Sequence, residues 1–452
     1  MLRSRQTPTH LAMLVLLALT GAAPAAAARP VKALAGADHA AQRPREVIVR
    51  YRPGVGPAAQ ARVEASSGTL AAGAVSGGSR RLSIEDGASV DATVSELRSD
   101  PHIAYAVPNY VAHASAVAVA VDDPGFALQW NFWGPFGINV PEAWALARDR
   151  GAPGGRGAVV AVLDTGVAYR SVRGYRRAPD LGSFVRGYDF VDGDRYPLDL
   201  NGHGTHVAGT IAQSTGNGIG AAGIAYRARI MPVRTLDVSG AGDAVTIAKG
   251  IRYAVRHHAD VINLSLEFAP FVTGADIPDV LRAMAYARRR RVVITAVAGN
   301  EGTTTGLPYP ARGPGVIAVA ATTEHGCQAG YSNAGPEVDV AAPGGGPDAV
   351  PASDPWDVEH CRPEEVGRSI VQETFAGASM RFGLPSGYYG TSMAAPHVAG
   401  LAALILASKR LGAHPRPADV ERLIEATARD IGPPGDDARY GHGLIDAAAA
   451  LR

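Results

Sequence analysis

Beyond about residue 122, short unbroken apolar runs alternate with segments in which apolar residues recur at helical spacing. Runs without polar alternation are expected of strands that are buried on both faces. Segments such as Ala244–His257 and Pro278–Arg289 are typical of the helices between such strands. The predicted strands are Ala158–Leu163, Val261–Leu266, Val292–Val297, Val316–Ala321 and Val338–Ala341. The alternation predicts an α/β fold with a mainly parallel sheet and helices on both faces, in which sites form at the carboxyl ends of the strands.

The segment from residue 46 to residue 107 has a different pattern, in which short elements follow the order β-α-β-β-α-β. The predicted strands are Glu46–Tyr51, about Ala71–Val75, Arg81–Ile84 and Ile103–Val107, and the predicted helices are Pro57–Ser66 and Val90–Leu97. This order is typical of a small α+β domain with a ferredoxin-like fold. Pro108–Tyr110 is expected to end the last strand, and a weakly structured segment follows to Val121. We therefore place a small domain at 46–115 and a larger one at 116–452.

The N-terminus has the pattern of an export signal. Arg3 and Arg5 precede an apolar run over Leu11–Leu19, and an alanine tract then ends at Ala28. This order of basic, apolar and small residues predicts a signal peptide at 1–28, followed by a linker at 29–45. A buried helix is the alternative, but the run is too short to span a bilayer. We expect an exported protein, extracellular or periplasmic, without a membrane span.

Charge and cysteine content narrow the class further. Lys and Arg total 43 against 42 for Asp and Glu, which gives no case for nucleic-acid binding or a polybasic membrane contact. The two cysteines, Cys327 and Cys361, favour one disulfide in an exported chain, with two unrelated thiols as the alternative. The bond would tie down the proline-rich stretch between Gly344 and Gly390.

One candidate for chemistry is Ser392, which lies in Gly390–Gly400 and precedes a long apolar run. Thr391 and Ser392 suit the N-terminal edge of a helix, and Pro396 is expected in the first turn of that helix. A hydroxyl at that edge lies beside positive partial charge, which suits a nucleophile whose attack creates an oxyanion. The alternative is a serine that only caps a buried helix.

Other polar side chains also follow predicted strands or open predicted helices. Asp164 follows the first buried strand, Asn300 follows another, and His203 lies in Asn201–Gly209. Each could be a turn or cap residue, and His203 with His206 could be half of a zinc site, although no third ligand is evident. Together with Ser392 they supply the parts of nucleophilic acyl transfer: a nucleophile, a base, a carboxylate that orients the base, and an oxyanion donor.

The order Asp164, His203, Asn300, Ser392, with the motifs around each residue, resembles the subtilisin-like serine proteases. The resemblance extends from about Asp122 to Leu451, and residues 46–110 resemble the inhibitory pro-domain of the same family. It implies that Ser392 is the nucleophile and that His203 is the general base and then the general acid. It also implies that Asp164 orients His203 and that Asn300 donates to the oxyanion, whereas His206 and His397 are interpreted as structural.

The resemblance further implies that peptide binds as an added β-strand. The residues that would bind it are Ser265, Leu266, Glu267, Ala298 and Gly299. Glu267 takes the place of the glycine that is usual in the family. We hypothesise that Glu267 tilts the primary pocket toward basic side chains, with a side chain that points to solvent as the alternative.

A structural Ca²⁺ ion is also implied, because the resemblance covers acids and a loop that offer hard oxygen ligands. The implied ligands are Asp123, Asp180, Asn217, Ile219 and Ala221. A second ion could lie near Asp192, Asp194 and Asp199, although solvated turn acids are the preferred interpretation there.

These observations predict a secreted serine endopeptidase that acts on proteins or peptides and is made as a self-cleaving precursor. Its own pro-domain would be the intramolecular inhibitor, the first cut would lie within about His113–Asp122, and the enzyme is expected to be a monomer. A non-catalytic binding protein would have lost a triad residue, and none is lost. An esterase would usually carry Gly-x-Ser-x-Gly, which is absent around Ser392.

Overall fold

The computed structural model describes residues 42–75, 78–85, 88–110, 121–351, 354–377 and 381–452. The chain divides into two compact units at residue 115. The predicted signal peptide at 1–28, nearly all of the linker at 29–45 and most of the predicted cleavage segment lie outside the described residues. Within the described residues, no helix combines the length and the apolar character needed to cross a membrane.

The N-terminal unit has the predicted β-α-β-β-α-β order. Its strands are β1 (Gln42–Tyr51), β2 (Thr69–Val75), β3 (Ser79–Ile84) and β4 (Ile103–Tyr110), and its helices are α1 (Pro57–Ser66) and α2 (Val90–Ser99). The strands form an antiparallel sheet in the order β2-β3-β1-β4. A small core lies beneath the sheet, where Val47, Val49 and Leu82 meet Leu97 of α2.

The last strand of this unit is longer than predicted. Pro108 pairs with Val47 instead of ending the strand, and β4 continues to Tyr110. A proline cannot donate to a ladder, but β4 lies at the edge of the sheet, where the missing N–H can face away from the neighbouring strand.

The C-terminal unit contains the predicted α/β alternation. Its strands are β5 (Val159–Asp164), β6 (Ser183–Phe184), β7 (Tyr188–Asp189), β8 (Arg229–Arg234), β9 (Val261–Leu264), β10 (Val293–Val297), β11 (Ile317–Thr322), β12 (Val340–Pro343), β13 (Thr374–Phe375) and β14 (Phe382–Gly383). Its helices are α3 (Trp130–Trp133), α4 (Val140–Asp149), α5 (His203–Ala212), α6 (Ala244–Arg256), α7 (Pro278–Arg289), α8 (Pro355–His360), α9 (Thr391–Ala407), α10 (Pro417–Thr427) and α11 (Ala447–Leu451).

The main sheet has the order β12-β11-β10-β9-β5-β8-β6, with β7 also paired to β8, and its pairs are parallel. Strands β5, β9, β10 and β11 are fully buried, as their apolar runs require. Helices α5 and α9 pack together on one face, and α6 and α7 pack together on the other. The predicted fold class is confirmed.

The direction in which the chain adds strands reverses between β5 and β9. After β5 the chain builds β6, β7 and β8 on one side of it, and it then builds β9, β10, β11 and β12 on the other side. Such a reversal leaves a crevice at the carboxyl ends of the two central strands. Asp164 ends β5 and Ser265 follows β9, so the candidate residues meet at this crevice.

Candidate active site

Asp164 and His203 form a hydrogen-bonded pair in which the carboxylate is buried and the imidazole is partly exposed. Asp164 is the last residue of β5 and is fully buried, while His203 opens α5 after the left-handed Gly202. The Nδ1 atom of His203 lies 2.7 Å from Oδ1 of Asp164, which also accepts a hydrogen bond from the Thr165 N–H. Because a carboxylate can only accept, Nδ1 donates and the other ring nitrogen of His203 is left as the basic one.

The electrostatic environment of His203 suits a base that receives a proton. Burial alone would lower the pKa of His203, but the charge of Asp164 and its hydrogen bond outweigh burial and raise the pKa above 6.5. The charge of Asp199 acts in the same direction. The two carboxylates therefore stabilise the imidazolium that forms when His203 accepts a proton.

Asp199 has a positioning role that the sequence did not reveal. It is buried, and its carboxylate accepts hydrogen bonds from the N–H groups of Gly202 and Thr205 and from the hydroxyl of Thr165. These bonds fix the turn that precedes α5 and so set the position of His203. The spacing of Asp199 before the helix is a capping signal that could have indicated this role.

The helix start holds Ser392 as predicted, but Pro396 lies in the second turn of α9 and not in the first. A proline in a helix removes the N–H that the carbonyl four residues earlier would accept, which here is the carbonyl of Ser392. The hydroxyl of Ser265 donates to that carbonyl at 2.9 Å and replaces the missing bond. This hydrogen bond links the Ser392 backbone to the segment that follows β9.

The hydroxyl of Ser392 lies in the same cleft as His203. This open cleft has a volume of about 520 Å³ and is also lined by Ser265, Leu266 and Glu267. The Ser392 hydroxyl donates a long hydrogen bond of 3.5 Å to the Ser265 carbonyl. The described residues show no hydrogen bond between Ser392 and His203, and hydrogen bonds between catalytic groups are often long or unformed before substrate binds.

Asn300 is held with its amide nitrogen turned away from α9. Its Oδ1 accepts hydrogen bonds from the Thr391 N–H at 2.9 Å and the Thr391 hydroxyl at 3.0 Å. An N–H can only donate, so this pair fixes which end of the amide is oxygen. The remaining NH₂ group favours the ionised form of Glu267 and so lies near that carboxyl, and it is the part of the amide that can donate to an oxyanion.

The segments expected to bind peptide border the cleft but leave the sheet earlier than predicted. Strand β9 ends at Leu264, so Ser265 and Leu266 lie beyond the ladder, where the Ser265 hydroxyl contacts both Asn263 and Ser392. On the neighbouring segment, Ala298 is buried. Gly299 has φ +101°, and a Cβ there would meet the Asn333 amide and the carboxylates of Glu267 and Glu301. The two segments therefore flank the cleft from β9 and β10.

Two further histidines are buried away from this chemistry. Nε2 of His206 lies 3.0 Å from the Ile370 carbonyl, and Nδ1 of His397 lies 2.8 Å from the Met393 carbonyl. Burial lowers the pKa of His206 to about 3 and that of His397 to about 4. Both are therefore neutral in the folded protein, and His203 binds Asp164 instead of sharing a metal with His206.

The acids and the loop predicted to bind calcium come together. Asp123 accepts hydrogen bonds from the N–H groups of Gly216 and Asn217, and Asp180 accepts from the Asn217 side chain and the Ala221 N–H. Burial raises the pKa of Asp180, and the nearby charge of Asp123 adds to the shift. The donor set of buried carboxylates and an amide oxygen therefore fits a hard divalent cation.

Glu373 joins this acidic region, although the sequence did not predict it. Its carboxylate accepts from the Asp180 N–H at 2.9 Å. Burial raises the pKa of Glu373 to about 7, and the charge of Asp180 acts in the same direction. Among the described residues, no arginine, lysine or histidine forms an ion pair with Asp123, Asp180 or Glu373.

The acids considered for a second ion are engaged elsewhere. Asp192 pairs with Arg234 at 2.6 Å, and Asp194 pairs with Arg173 at 2.8 Å. Asp199 belongs to the turn before His203. The interpretation as solvated turn acids therefore suits Asp192 and Asp194, whereas Asp199 is a turn acid that is buried.

Cys327 and Cys361 form a disulfide with 5.5 Å between the Cα atoms and a sequence separation of 34. Close to it, Arg439 contacts Asp354 and Asp357, which lie at the start of the short helix α8. The bond therefore fastens the segment between β12 and α9 to the loop after β11.

Comparisons with known proteins agree with this geometry. The profile of the Subtilase family matches residues 155–443, and the profile of the Fervidolysin N-terminal prodomain matches residues 28–109. A Thermophilic serine proteinase of Bacillus sp. (strain AK1) is 34% identical over 397 residues, which is 88% of this chain and 85% of that protein. Thermitase of Thermoactinomyces vulgaris is 36% identical over 332 residues, which is 73% of this chain and 99% of thermitase.

Among solved structures, the fold is similar to that of a protease from Pseudoalteromonas arctica PAMC 21717. That structure is 34% identical, has a TM-score of 0.59, and covers 74% of this chain and 99% of its own. The similarity therefore extends over most of the chain in both sequence and fold.

Proposed function

The chain belongs to the subtilase family of serine proteases, and from this premise we propose that it is a secreted endopeptidase with an Asp164-His203-Ser392 triad. The observation that carries the proposal is the 2.7 Å hydrogen bond between Asp164 and His203, in a cleft that Ser392 also lines. A second pair of this kind, His325 with Asp348 at 2.9 Å, does not line this cleft.

In the first half of the reaction, Oγ of Ser392 forms a bond to the carbonyl carbon of the peptide and its proton passes to Nε2 of His203. The oxyanion accepts hydrogen bonds from the amide of Asn300 and from the backbone N–H of Ser392. The C–N bond then breaks, His203 gives its proton to the departing amine, and an acyl-enzyme remains.

In the second half, a water molecule loses its proton to His203 and attacks the acyl-enzyme. The ester bond to Ser392 breaks, and its oxygen takes the proton back from His203. Asp164 stays ionised throughout and stabilises the imidazolium in both halves. The sequence of steps consumes one water and one peptide bond and regenerates the enzyme.

The substrate is proposed to bind as an added strand between two segments. Ser265, Leu266 and Glu267 would form one side, and Ala298 and Gly299 the other. Both segments leave the sheet beside Ser392, where the backbone of Ser265, Leu266 and Glu267 could pair with an extended peptide. In the second segment, the Ala298 N–H already donates to Val319 and the Gly299 carbonyl already accepts from Asn333. Such backbone recognition favours a protein or peptide substrate over a small ester.

Calcium is proposed as a structural ion, held by Asp123, Asp180, Asn217 and the carbonyls of Ile219 and Ala221. When bound, the ion would supply positive charge to a region whose acids lack a basic partner among the described residues. The residues themselves tie the loop at 216–221 to the segment before α3 and to the turn that holds Asp180.

The chain is proposed to be made as a monomeric precursor with a signal peptide at 1–28, a linker at 29–45, an inhibitory pro-domain at 46–115 and a catalytic domain at 116–452. The first cut would fall within about His113–Asp122. Since that segment and Ser392 belong to one chain, the first cut is effectively unimolecular and needs no second enzyme.

The test compares wild type with Ser392→Ala in a host that lacks other active proteases. Wild type should mature to a chain that starts near Asp122, whereas Ser392→Ala should remain one chain that starts near Arg29. Ser408→Ala, at the other end of α9, is the matched control and should mature like wild type. Maturation of Ser392→Ala at the same site and rate would show that another protease makes the cut.

A further inference from the structure

The region of interest lies at the pocket end of the cleft, two residues beyond Ser265. Glu267 lines the same cleft as Ser392 and His203, and its carboxyl lies near enough to the Asn300 amide for that amide to favour its ionised form. It is therefore placed beside the residue proposed to bind the oxyanion. Any peptide carbonyl that reacts with Ser392 brings the side chain of its own residue to this end of the cleft.

One oxygen of Glu267 is buried and has no partner. Its Oε2 atom is inaccessible to solvent and accepts no hydrogen bond in the described part of the chain. A buried acceptor without a donor is costly, and few such atoms persist in folded proteins without a reason. Because this oxygen is closed to solvent, a ligand in the cleft would act on the carboxylate through its charge, and a cation would offset the missing hydrogen bond.

A second carboxylate lies close to the first. Oε2 of Glu267 and Oε2 of Glu301 both lie within 3.0 Å of the point where a Cβ on Gly299 would be. Glu301 is anchored by the Asn333 amide, which donates to it at 2.6 Å. The absence of a side chain at Gly299 leaves space for the two carboxylates to face each other.

The electrostatics of this pair point to a cationic ligand. Burial raises the pKa of Glu267 to about 7, and the charge of Glu301 adds to the shift. Both causes disfavour the ionised form, and a cation placed between the two carboxylates would reverse both. A guanidinium in the cleft would neutralise the charge, and it offers several N–H donors in a fixed plane to a carboxylate.

We propose that Glu267 and Glu301 together form the floor and rim of the primary specificity pocket and select peptides with arginine or lysine before the scissile bond. The inference rests on the proposed function, because it assigns a substrate class to the same Ser392 site. Glu267 takes the role of a specificity-determining residue.

The test uses two fluorogenic peptides that differ only in the residue before the cut, with arginine in one and citrulline in the other. Citrulline keeps the shape of arginine and removes its charge, so the ratio of the two kcat/KM values reports charge recognition alone. We expect wild type to prefer arginine by about 10- to 100-fold, the range for a partly desolvated charge pair. Glu267→Gln should bring the ratio close to one, and Glu301→Gln should lower it less.

Glu337→Gln is the matched control. Glu337 also has a buried oxygen without a partner in the described residues, but it does not line the cleft. Its replacement should leave the ratio unchanged. A fall in this variant equal to that in Glu267→Gln would show a general effect of charge and would overturn the proposal.

The ratio should also depend on pH. The titratable groups that face this part of the cleft are Glu267, Glu301 and His203. His203 acts on both peptides alike, so its titration cancels in the ratio. The preference of wild type for arginine should rise as the pH passes through about 7, where Glu267 ionises, and this rise should be absent in Glu267→Gln.

Failure of this inference can be told from failure of the proposed function. A wild-type ratio near one, or a preference for arginine that persists in Glu267→Gln, overturns the pocket assignment while the protease assignment stands. If wild type cuts neither peptide and Ser392 does not react with a serine-directed fluorophosphonate, both assignments are wrong.

Discussion

Two regions of the catalytic unit bury carboxylates with different neighbours. At the carboxyl end of the central strand β5, Asp164 is 0% exposed and binds the ring of His203. At the loop near Asn217, Asp180 is 1% exposed and has Asp123 and Glu373 beside it, without a basic side chain among the described residues. Both regions bury carboxylates, yet only the first contains an imidazole that can pass a proton to and from a reacting group.

The difference shows what each region is suited to do. A buried carboxylate paired with an imidazole fixes the tautomer of the ring and stabilises its protonated form, so that pair controls the rate of reaction. Buried carboxylates without such a partner repel one another, and a divalent cation would offset the repulsion. We therefore expect substitutions at the first region to change kcat and substitutions at the second to change stability.

The largest expected effect is that of Asp164→Asn. An asparagine side chain can hold His203 in the wrong tautomer, and it no longer stabilises the imidazolium. The value of kcat should therefore fall by about 10⁴-fold, as in other serine proteases. The pKa of His203 should also fall, because the carboxylate that raises it is removed. The measurement is kcat/KM against pH, which in wild type should decline as the pH drops through a value above 6.5.

Asp243→Asn serves as the control for Asp164→Asn, because Asp243 caps α6 at the surface and should leave kcat unaffected. A loss of less than tenfold in Asp164→Asn would mean that Asp164 does not orient the base.

The next effect in size concerns Asn300→Ala. The amide is proposed to bind the oxyanion, which exists only after attack, so kcat should fall by about 10²–10³-fold while KM changes little. Steady-state kinetics on one peptide separates the two constants. A rise in KM with an unchanged kcat would instead assign Asn300 to substrate binding.

At the loop, the prediction concerns stability. Calcium should raise the melting temperature of the mature enzyme, because an ion at about 100 times its dissociation constant adds about 2.7 kcal/mol to the free energy of unfolding. Asp180→Asn should lose most of this gain, whereas Asp237→Asn, at an exposed turn, should keep it. Equal melting temperatures in calcium and in chelator, with no calcium found by elemental analysis, would show that the proposed ligands do not bind calcium.

The smallest effect is a pH dependence at Glu373. Its pKa is about 7 in the folded protein against 4.5 ordinarily, so the folded state holds this proton more tightly than the unfolded state. The stability from this group is therefore fully present below pH 4.5 and is lost as the pH rises to about 7. In chelator the melting temperature should fall by a few degrees over that window, and Glu373→Gln should fall less. An identical decline in both proteins would show that Glu373 does not contribute.

Much of this arrangement could be predicted from the sequence because local patterns determine it. Unbroken apolar runs identified β5, β9, β10 and β11, and the polar residues just past them are the ones that meet in the cleft. The turn before His203 and the helix start at Thr391 carry local signals as well. Residues whose position follows from a strand end or a helix start were therefore accessible to sequence reasoning.

Features that depend on contacts between distant segments were not accessible in this way. Strand β8 was not predicted, because Pro232 interrupts its apolar run, although the strand lies between β5 and β6. The second-turn position of Pro396 depends on Ser265, which lies 127 residues from Ser392. The approach of Glu373 to Asp180 likewise joins positions 193 residues apart.

The central claim is that Ser392 is a nucleophile activated by His203 and Asp164. The most direct test is to react the mature enzyme with a serine-directed fluorophosphonate and to locate the adduct by peptide mass spectrometry. We predict an adduct on Ser392 in wild type, a much slower reaction in Asp164→Asn, and no adduct in Ser392→Ala. An adduct on another serine, or an equal rate of labelling in Asp164→Asn, would contradict the account.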